Sequence, residues 1–470
     1  MLCLELIDSE LILARLRDDV LERLATAPGI ALLGDQATLT GESAARCLRL
    51  RPLLAHTNYW RTLSTVPLPR PSQLVRTSAD LAFVQAETLL GSYAAAAEQL
   101  LLAVPAGYSR EQLGLLLGVI GATGIQIAGL VDAALAASSL LPAPARALHL
   151  DLELHQAILT VLEYVGGERQ GLRRSHYEIT PHQGVLALQQ TWMRFIAEQF
   201  VRKTRFDPLH HAESEQRLVD ELPRWLALLA DQDRIVLAMQ SGERSLEIEL
   251  EKAQFIAAVQ PHYVELRRLV QRARIAGLPV ELHLSQRIAG LPGLLQHLED
   301  LRDCTIRVLP PGAAALGALQ HASAIIRPAD ALALVYHLPV FRAADIDDDS
   351  PDSSAAGDST PALLRPTHVL FQGRAWRIAE EPLEIGWSPQ TSGRALLLSG
   401  SPGVSRLHCT VLRRNGAVLI EDHSTYGSYV NEERVVGKTA LTVGDRLRLG
   451  TPGITLELIQ LVNDDGTPQD

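Results

Sequence analysis

An acidic, Ser- and Pro-rich run at 343–366 constrains this 470-residue chain more than any other feature; it begins Ala343-Ala344-Asp345-Ile346-Asp347-Asp348-Asp349-Ser350-Pro351. It holds almost no large apolar side chains, so it cannot bury enough surface to offset the entropy of ordering it. Its like charges favour extension. The run reads as a disordered linker with a module of 1–342 before it and one of 367–463 after it, and 464–470 reads as a disordered tail.

The two modules have different hydrophobic grammars. After the linker, short apolar runs at 395–398, 409–412, 417–420, 428–430, 446–449 and 454–461 are separated by turn residues. Asn415-Gly416 between two such runs is a strong hairpin signal. Many short strands at this spacing predict an all-β sandwich. Before the linker, strand-like runs at 2–7, 101–104, 147–152, 158–162, 235–239 and 280–284 alternate with helical stretches at 85–99, 186–202, 212–230, 251–275, 291–299 and 313–322. That alternation predicts an α/β module. The apolar stretch 113–141 is long enough to span a bilayer, but Gly121-Ala122-Thr123-Gly124 interrupts it. It reads as helix 111–121, strand 125–127 and helix 130–140 of a buried α/β unit.

Charge and cysteine content exclude several function classes. A formal net charge of −11 leaves no general basic face for nucleic acid or for an anionic membrane surface. Cys3, Cys47, Cys304 and Cys409 are far apart and form no CxxC pair, which argues against a disulfide framework or zinc site and fits a reduced cytoplasm. Met1-Leu2-Cys3-Leu4-Glu5 carries no basic segment of a secretory signal. His210-His211 with Glu213 and Glu215 reads as the exposed start of an amphipathic helix, so no metal is expected.

In the last module the order of motifs is distinctive. It runs Glu384-Ile385-Gly386, Val404-Ser405-Arg406-Leu407-His408, Glu421-Asp422-His423-Ser424-Thr425-Tyr426-Gly427-Ser428-Tyr429-Val430-Asn431, and Leu441-Thr442-Val443-Gly444-Asp445-Arg446-Leu447-Arg448-Leu449-Gly450. This resembles the forkhead-associated (FHA) domain, a reader of phosphothreonine peptides. A loop Ser beside an Arg supplies a hydroxyl, backbone N–H groups and a guanidinium, and each charged hydrogen bond is worth roughly 1.5–3 kcal/mol. The resemblance implies that Ser405 and Arg406 contact phosphate, with Thr425, Tyr426 and Trp387 beside them, and that Gly386, His408, Gly427, Asn431, Gly444 and Asp445 are structural. Two positions depart from the family pattern: Trp387 stands where an Arg usually contacts the phosphopeptide, and Tyr426 where an Asn often does. Arg394 or Arg413 could compensate or be ordinary surface charge; Trp387 and Tyr426 could rim the site or pack locally.

In the first module, Gly29-Ile30-Ala31-Leu32-Leu33, Thr40-Gly41-Glu42, Ala103-Val104-Pro105, Ser285-Gln286-Arg287 with Leu291-Pro292-Gly293, and Pro310-Pro311-Gly312 through Gly317 occur in an order similar to the actin and heat-shock-chaperone ATPase superfamily. The resemblance implies a two-lobed fold with a nucleotide cleft marked by Asp8, Asp151, Gly312 and Gly317. Phosphate hairpins need glycines so that backbone N–H groups approach closely. Here Ile7-Asp8-Ser9-Glu10 and Asp151-Leu152-Glu153-Leu154-His155 lack them, and Glu10 and Glu153 repel phosphate. Asp8 and Asp151 read as retained fold residues rather than an acid–base pair.

The expectation is a cytoplasmic adaptor, not an enzyme. Its FHA module binds a phosphothreonine-containing protein, the substrate of a Ser/Thr kinase, and its front module is a pseudo-ATPase. No cofactor is required, and weak ATP or ADP binding at the 312–317 turn stays open. The alternatives are an active chaperone-like ATPase regulated through the FHA module, and a phosphate-independent scaffold. Thr360 is the sole linker threonine, and a partner in trans is favoured over its intramolecular capture.

Overall fold

The computed structural model describes residues 1–34, 37–94, 98–167, 170–340, 365–389, 394–398 and 401–461. Linker positions 343–364, with Thr360, and the expected tail lie outside the described residues. The chain divides into two compact units, Met1–Arg267 with Val280–Asp347, and Arg268–Pro279 with Asp348–Asp470.

The strands of the first unit are β1 (Leu2–Glu5), β2 (Leu11–Arg17), β3 (Val20–Ala27), β4 (Ala31–Leu33), β5 (Thr38–Thr40), β6 (Ala55–His56), β7 (Gln99–Val104), β8 (Gln126–Asp132), β9 (Arg146–Leu152), β10 (Gln156–Val165), β11 (Gly171–Pro181), β12 (Arg234–Ser241), β13 (Arg244–Glu251), β14 (Val280–Leu284), β15 (Cys304–Val308), β16 (Leu334–Val335) and β17 (His337–Leu338). Two six-stranded sheets dominate, ordered β16-β8-β7-β1-β2-β3 and β15-β14-β9-β10-β11-β17. Each contains an antiparallel meander, β1-β2-β3 or β9-β10-β11, whose first strand also pairs in parallel with a later strand. The first unit therefore carries the same strand order twice. Strands β1 and β7 are short and largely apolar because both sheet faces are covered.

Several sequence expectations need correction. Stretch 113–141 folds as helix Arg110–Gly121, strand β8 and helix Ala133–Ser138. The strand therefore runs to Asp132, and the second helix starts at 133 rather than 130. Asp132 sets that boundary: its Oδ1 accepts from the Leu135 N–H at 2.9 Å and its Oδ2 pairs with Arg174 at 2.6 Å. The helix expected at 85–99 runs instead over Ser78–Ala94. Strands β3, β11 and β13 were not anticipated, because their outward faces carry charged residues that blur the apolar runs. Asp18 and Asp19, with φ of 51° and 60°, form the two-residue turn into β3. Among the described residues no helix is long and apolar enough to cross a membrane.

The strands of the second unit are β18 (His368–Phe371), β19 (Arg374–Arg377), β20 (Leu383–Gly386), β21 (Ala395–Leu397), β22 (Cys409–Arg414), β23 (Ala417–Asp422), β24 (Ser428–Val430), β25 (Glu433–Arg434), β26 (Lys438–Leu441), β27 (Arg446–Leu449) and β28 (Ile454–Ile459). They form two sheets, β19-β18-β28-β27-β24-β25 and β21-β20-β22-β23-β26, around one core that includes Val369, Ile385, Val411, Ile420, Leu447 and Leu456. The expected sandwich is present. The Asn415-Gly416 hairpin turn has φ of 51° and 78°, the conformation those two residues favour. The unit also includes Arg268–Pro279: the Ala276 N–H donates to the Arg434 carbonyl at 2.9 Å, Thr439 Oγ1 donates to the Ala276 carbonyl at 3.2 Å, and Ala276 joins the apolar core.

Candidate functional site

In the second unit, the segments 386–388, 404–408 and 422–428 converge. Trp387 and Ser388 N–H groups donate to the carbonyls of Ser405 and Arg406, both at 3.1 Å. This approach is why 386 is glycine: a Cβ there would lie 2.0 Å from the Arg406 carbonyl oxygen. Buried His408 ties two loops together. Its Nδ1 accepts from the Ser405 N–H at 3.0 Å, so the proton is assigned to Nε2, which donates to the Gly427 carbonyl at 3.1 Å. Burial holds the His408 pKa below the usual histidine value, in keeping with that neutral tautomer.

Ser405 Oγ accepts from the Thr425 N–H at 3.1 Å, which leaves its own proton to donate elsewhere. Ser405 is half-buried, whereas Arg406, Thr425 and Tyr426 are exposed. The Arg406 guanidinium carbon lies 5.6 Å from the centroid of the Trp387 ring, within cation–π range. Trp387 and Tyr426 are 45% and 55% exposed, so neither is absorbed by local packing. Arg394 does not reach this cluster; its guanidinium binds the carbonyls of Arg377 and Glu381. Arg413 lies toward the opposite end of β22 from the 404–408 loop.

The remaining motif residues brace turns. Asn431 donates from Nδ2 to Asp445 at 2.9 Å and accepts from the Arg446 N–H at 3.1 Å, while Asp445 also accepts from the Thr442 N–H at 2.7 Å. Gly427 and Gly444 have φ of 80° and 86°, where a side chain would be strained. Asp422 and Ser424 belong to the motif, but sequence reasoning gave them no role. Asp422 Oδ1 accepts from the hydroxyls of Ser424 and Ser428, both at 2.8 Å, and Ser424 Oγ accepts from the Gly427 N–H at 2.7 Å. Their signal was the Asp-x-Ser-x-x-Gly spacing typical of side-chain-capped turns.

Residues 385–450 match the family model described as FHA domain. The chain carries an FHA domain. The match covers the three segments that converge around Ser405, where neutral donors and the exposed Arg406 guanidinium suit an oxyanion. No curated protein matches the chain.

The first unit contains a cavity of about 300 Å³ on the β9–β10 side of its second sheet. Asp151 and Gly312 line it. Asp8 does not: it is buried, and its Oδ1 accepts from the Leu154 N–H at 2.7 Å. Gly317 does not either. It lies within helix Ala313–Gln320, where a Cβ would come 1.8 Å from the Ala136 carbonyl oxygen, so close helix packing demands glycine there. His211 caps helix Ala212–Asp231. Glu215 on that helix pairs with Arg49 at 3.3 Å.

Arg287 is the centre of the cavity's charge cluster. It binds Glu5 at 2.9 Å, Glu10 at 3.2 Å and Asp151 at 2.8 Å. Ser285 Oγ adds a 2.6 Å hydrogen bond to Asp151. Burial opposes ionisation of Asp151, but Arg287 and Ser285 outweigh it and lower its pKa. Burial raises the pKa of Glu5 and Glu153, and lifts Asp8 to about 7. Burial also lowers His149 to about 4, so that side chain is neutral near pH 7. The hairpin turns are joined directly, with Ser9 Oγ donating to the Leu152 carbonyl at 2.6 Å.

Proposed function

We propose that this protein is a phosphothreonine-dependent adaptor whose FHA domain captures a kinase-phosphorylated partner through Ser405 and Arg406, with Thr425, Tyr426 and Trp387 shaping the surroundings. One observation carries the reading. Ser405 Oγ is already an acceptor for the Thr425 N–H, so its own proton remains available to an outside acceptor beside the exposed Arg406. Titration of phosphothreonine peptide libraries against wild type, Ser405→Ala and Arg406→Ala tests it. Selective loss in both variants is expected; equal binding by all three proteins refutes the site, and equal binding of dephosphorylated peptides favours a phosphate-independent scaffold.

The first unit is read as a pseudo-ATPase of the actin and heat-shock-chaperone type that serves as a second protein-binding surface in the cytoplasm. Support comes from the strand order that occurs twice, β3-β2-β1-β7-β8 and β11-β10-β9-β14-β15. Against an active ATPase stands the cluster beside the hairpin turns. Three carboxylates share the Arg287 guanidinium, so an incoming triphosphate meets repulsion without glycine N–H groups to offset it. Calorimetric titration with Mg-ATP is expected to show no binding or millimolar affinity; micromolar binding would restore the ATPase reading.

A further inference from the structure

The charge cluster does not fill the cavity of the first unit. Helix Ala133–Ser138 and the Gly312–Ala314 turn contribute mainly alanines, whose short side chains leave the space open. Two polar side chains on the cavity wall, His149 on β9 and Thr160 on β10, are direct cross-strand partners. They are only 5% and 1% exposed. Apart from a long 3.4 Å contact from His149 Nδ1 to Ser138 Oγ, no described residue makes a hydrogen bond to the His149 ring or to Thr160 Oγ1. Buried polar groups are normally fully paired, and a hydroxyl without a partner beside an imidazole with one long contact, both lining one cavity, is the mark of a place for a polar guest.

Electrostatics selects the guest. Glu5, Glu10 and Asp151 already share Arg287, so a phosphate or carboxylate brought against them is repelled. The inner wall, a hydroxyl and a neutral imidazole among alanines, carries no formal charge, so a cation would be drawn to the carboxylates around Arg287 and not to this wall. We propose that this cavity binds a small uncharged nitrogen heterocycle whose edge presents one hydrogen-bond donor and one acceptor to His149 and Thr160, and that it rejects the corresponding anions. The exclusion of anions rests on the reading of the first unit as a pseudo-ATPase; the His149–Thr160 wall stands without it.

The test uses the full chain and saturation-transfer NMR with matched probes: adenosine and nicotinamide as uncharged compounds, AMP and nicotinate as their anionic counterparts, 3-(aminomethyl)pyridine as a cation, and Mg-ATP in a separate titration. Binding of at least one uncharged probe, at least tenfold tighter than its anionic counterpart, is expected. Thr160→Val, which keeps the side-chain shape, is expected to weaken that binding at least fivefold with an unchanged melting temperature; His149→Gln serves as a second variant. No binding by either uncharged probe, equal binding of the anions, stronger binding of the cation, or indifference to both variants overturns the proposal. Tight Mg-ATP binding overturns the pseudo-ATPase reading and with it the exclusion of anions, whereas failure of Mg-ATP and the uncharged probes together overturns only this proposal.

Discussion

The loop cluster of the FHA domain and the hairpin turns of the first unit treat positive charge in opposite ways. Around Ser405 the loops are held by neutral groups, the His408 ring and backbone carbonyls, and the Arg406 guanidinium stays at the surface over Trp387. In the first unit the guanidinium of Arg287 is consumed by Glu5, Glu10 and Asp151. A cation beside a turn is therefore not enough to make an anion site. What matters is whether its charge is still unspent once the fold has formed.

The largest effect that can break this comparison is expected for Arg287→Met. It strands three carboxylates in the first unit, and removing one partner of such a buried cluster costs about 3–5 kcal/mol. Thermal unfolding of the full chain should show a transition of the first unit falling well below the wild-type value, while FHA-dependent peptide binding persists. An unchanged transition means the cluster is solvated and the contrast is false.

Next comes His408→Ala, which deletes two buried hydrogen bonds between loops and is expected to cost about 2 kcal/mol in chemical denaturation of the FHA domain. Peptide affinity should fall with it. Ser405→Ala leaves the fold intact but removes a donor to phosphate, for an expected tenfold or greater loss in fluorescence-anisotropy titrations. Trp387→Arg sharpens the same point from the other side. It adds an unspent cation and should tighten phosphopeptide binding severalfold; weaker binding would show that the aromatic ring itself holds the partner.

The smallest effect is in pH dependence, where the two units should move in opposite directions. Folded Asp8 keeps its proton up to about 7, whereas the unfolded carboxyl loses it near 3.8. Between these values the folded state carries the extra proton, so the stability of the first unit falls as pH rises. From pH 6 to pH 8 the loss attributable to Asp8 is about 1 kcal/mol, and Asp8→Asn should abolish it while keeping an acceptor for the Leu154 N–H. Folded His408 has its pKa below the ordinary 6.5, so the folded FHA domain binds fewer protons than the unfolded chain and loses stability as pH falls below 6.5. Urea titrations across pH 5–8 check both slopes.

Much of the FHA domain was legible because its constraints are local. Asn415-Gly416 can satisfy a positive-φ turn within two residues, and the Ser405-to-His408 spacing places a donor N–H against an imidazole inside one loop. The first unit was less legible because its decisive contacts join residues far apart in sequence. Nothing near Arg287 in the chain announces that Glu5 and Asp151 will surround it, and nothing around Gly317 announces the Ala136 carbonyl pressed against it. Asp8 looked like a cleft residue for the same reason: its partner, the Leu154 N–H, sits 146 positions away. The outer strands β3 and β11 were hidden by charged outward faces, which blur the apolar pattern that periodicity depends on.

The bond from the Leu154 amide to Asp8 gives this molecule a built-in gauge. The two meanders can part only if that proton is released to solvent, so its exchange with deuterium reports directly how often the first unit opens. A ligand or partner that holds the two meanders together will slow exchange at that position.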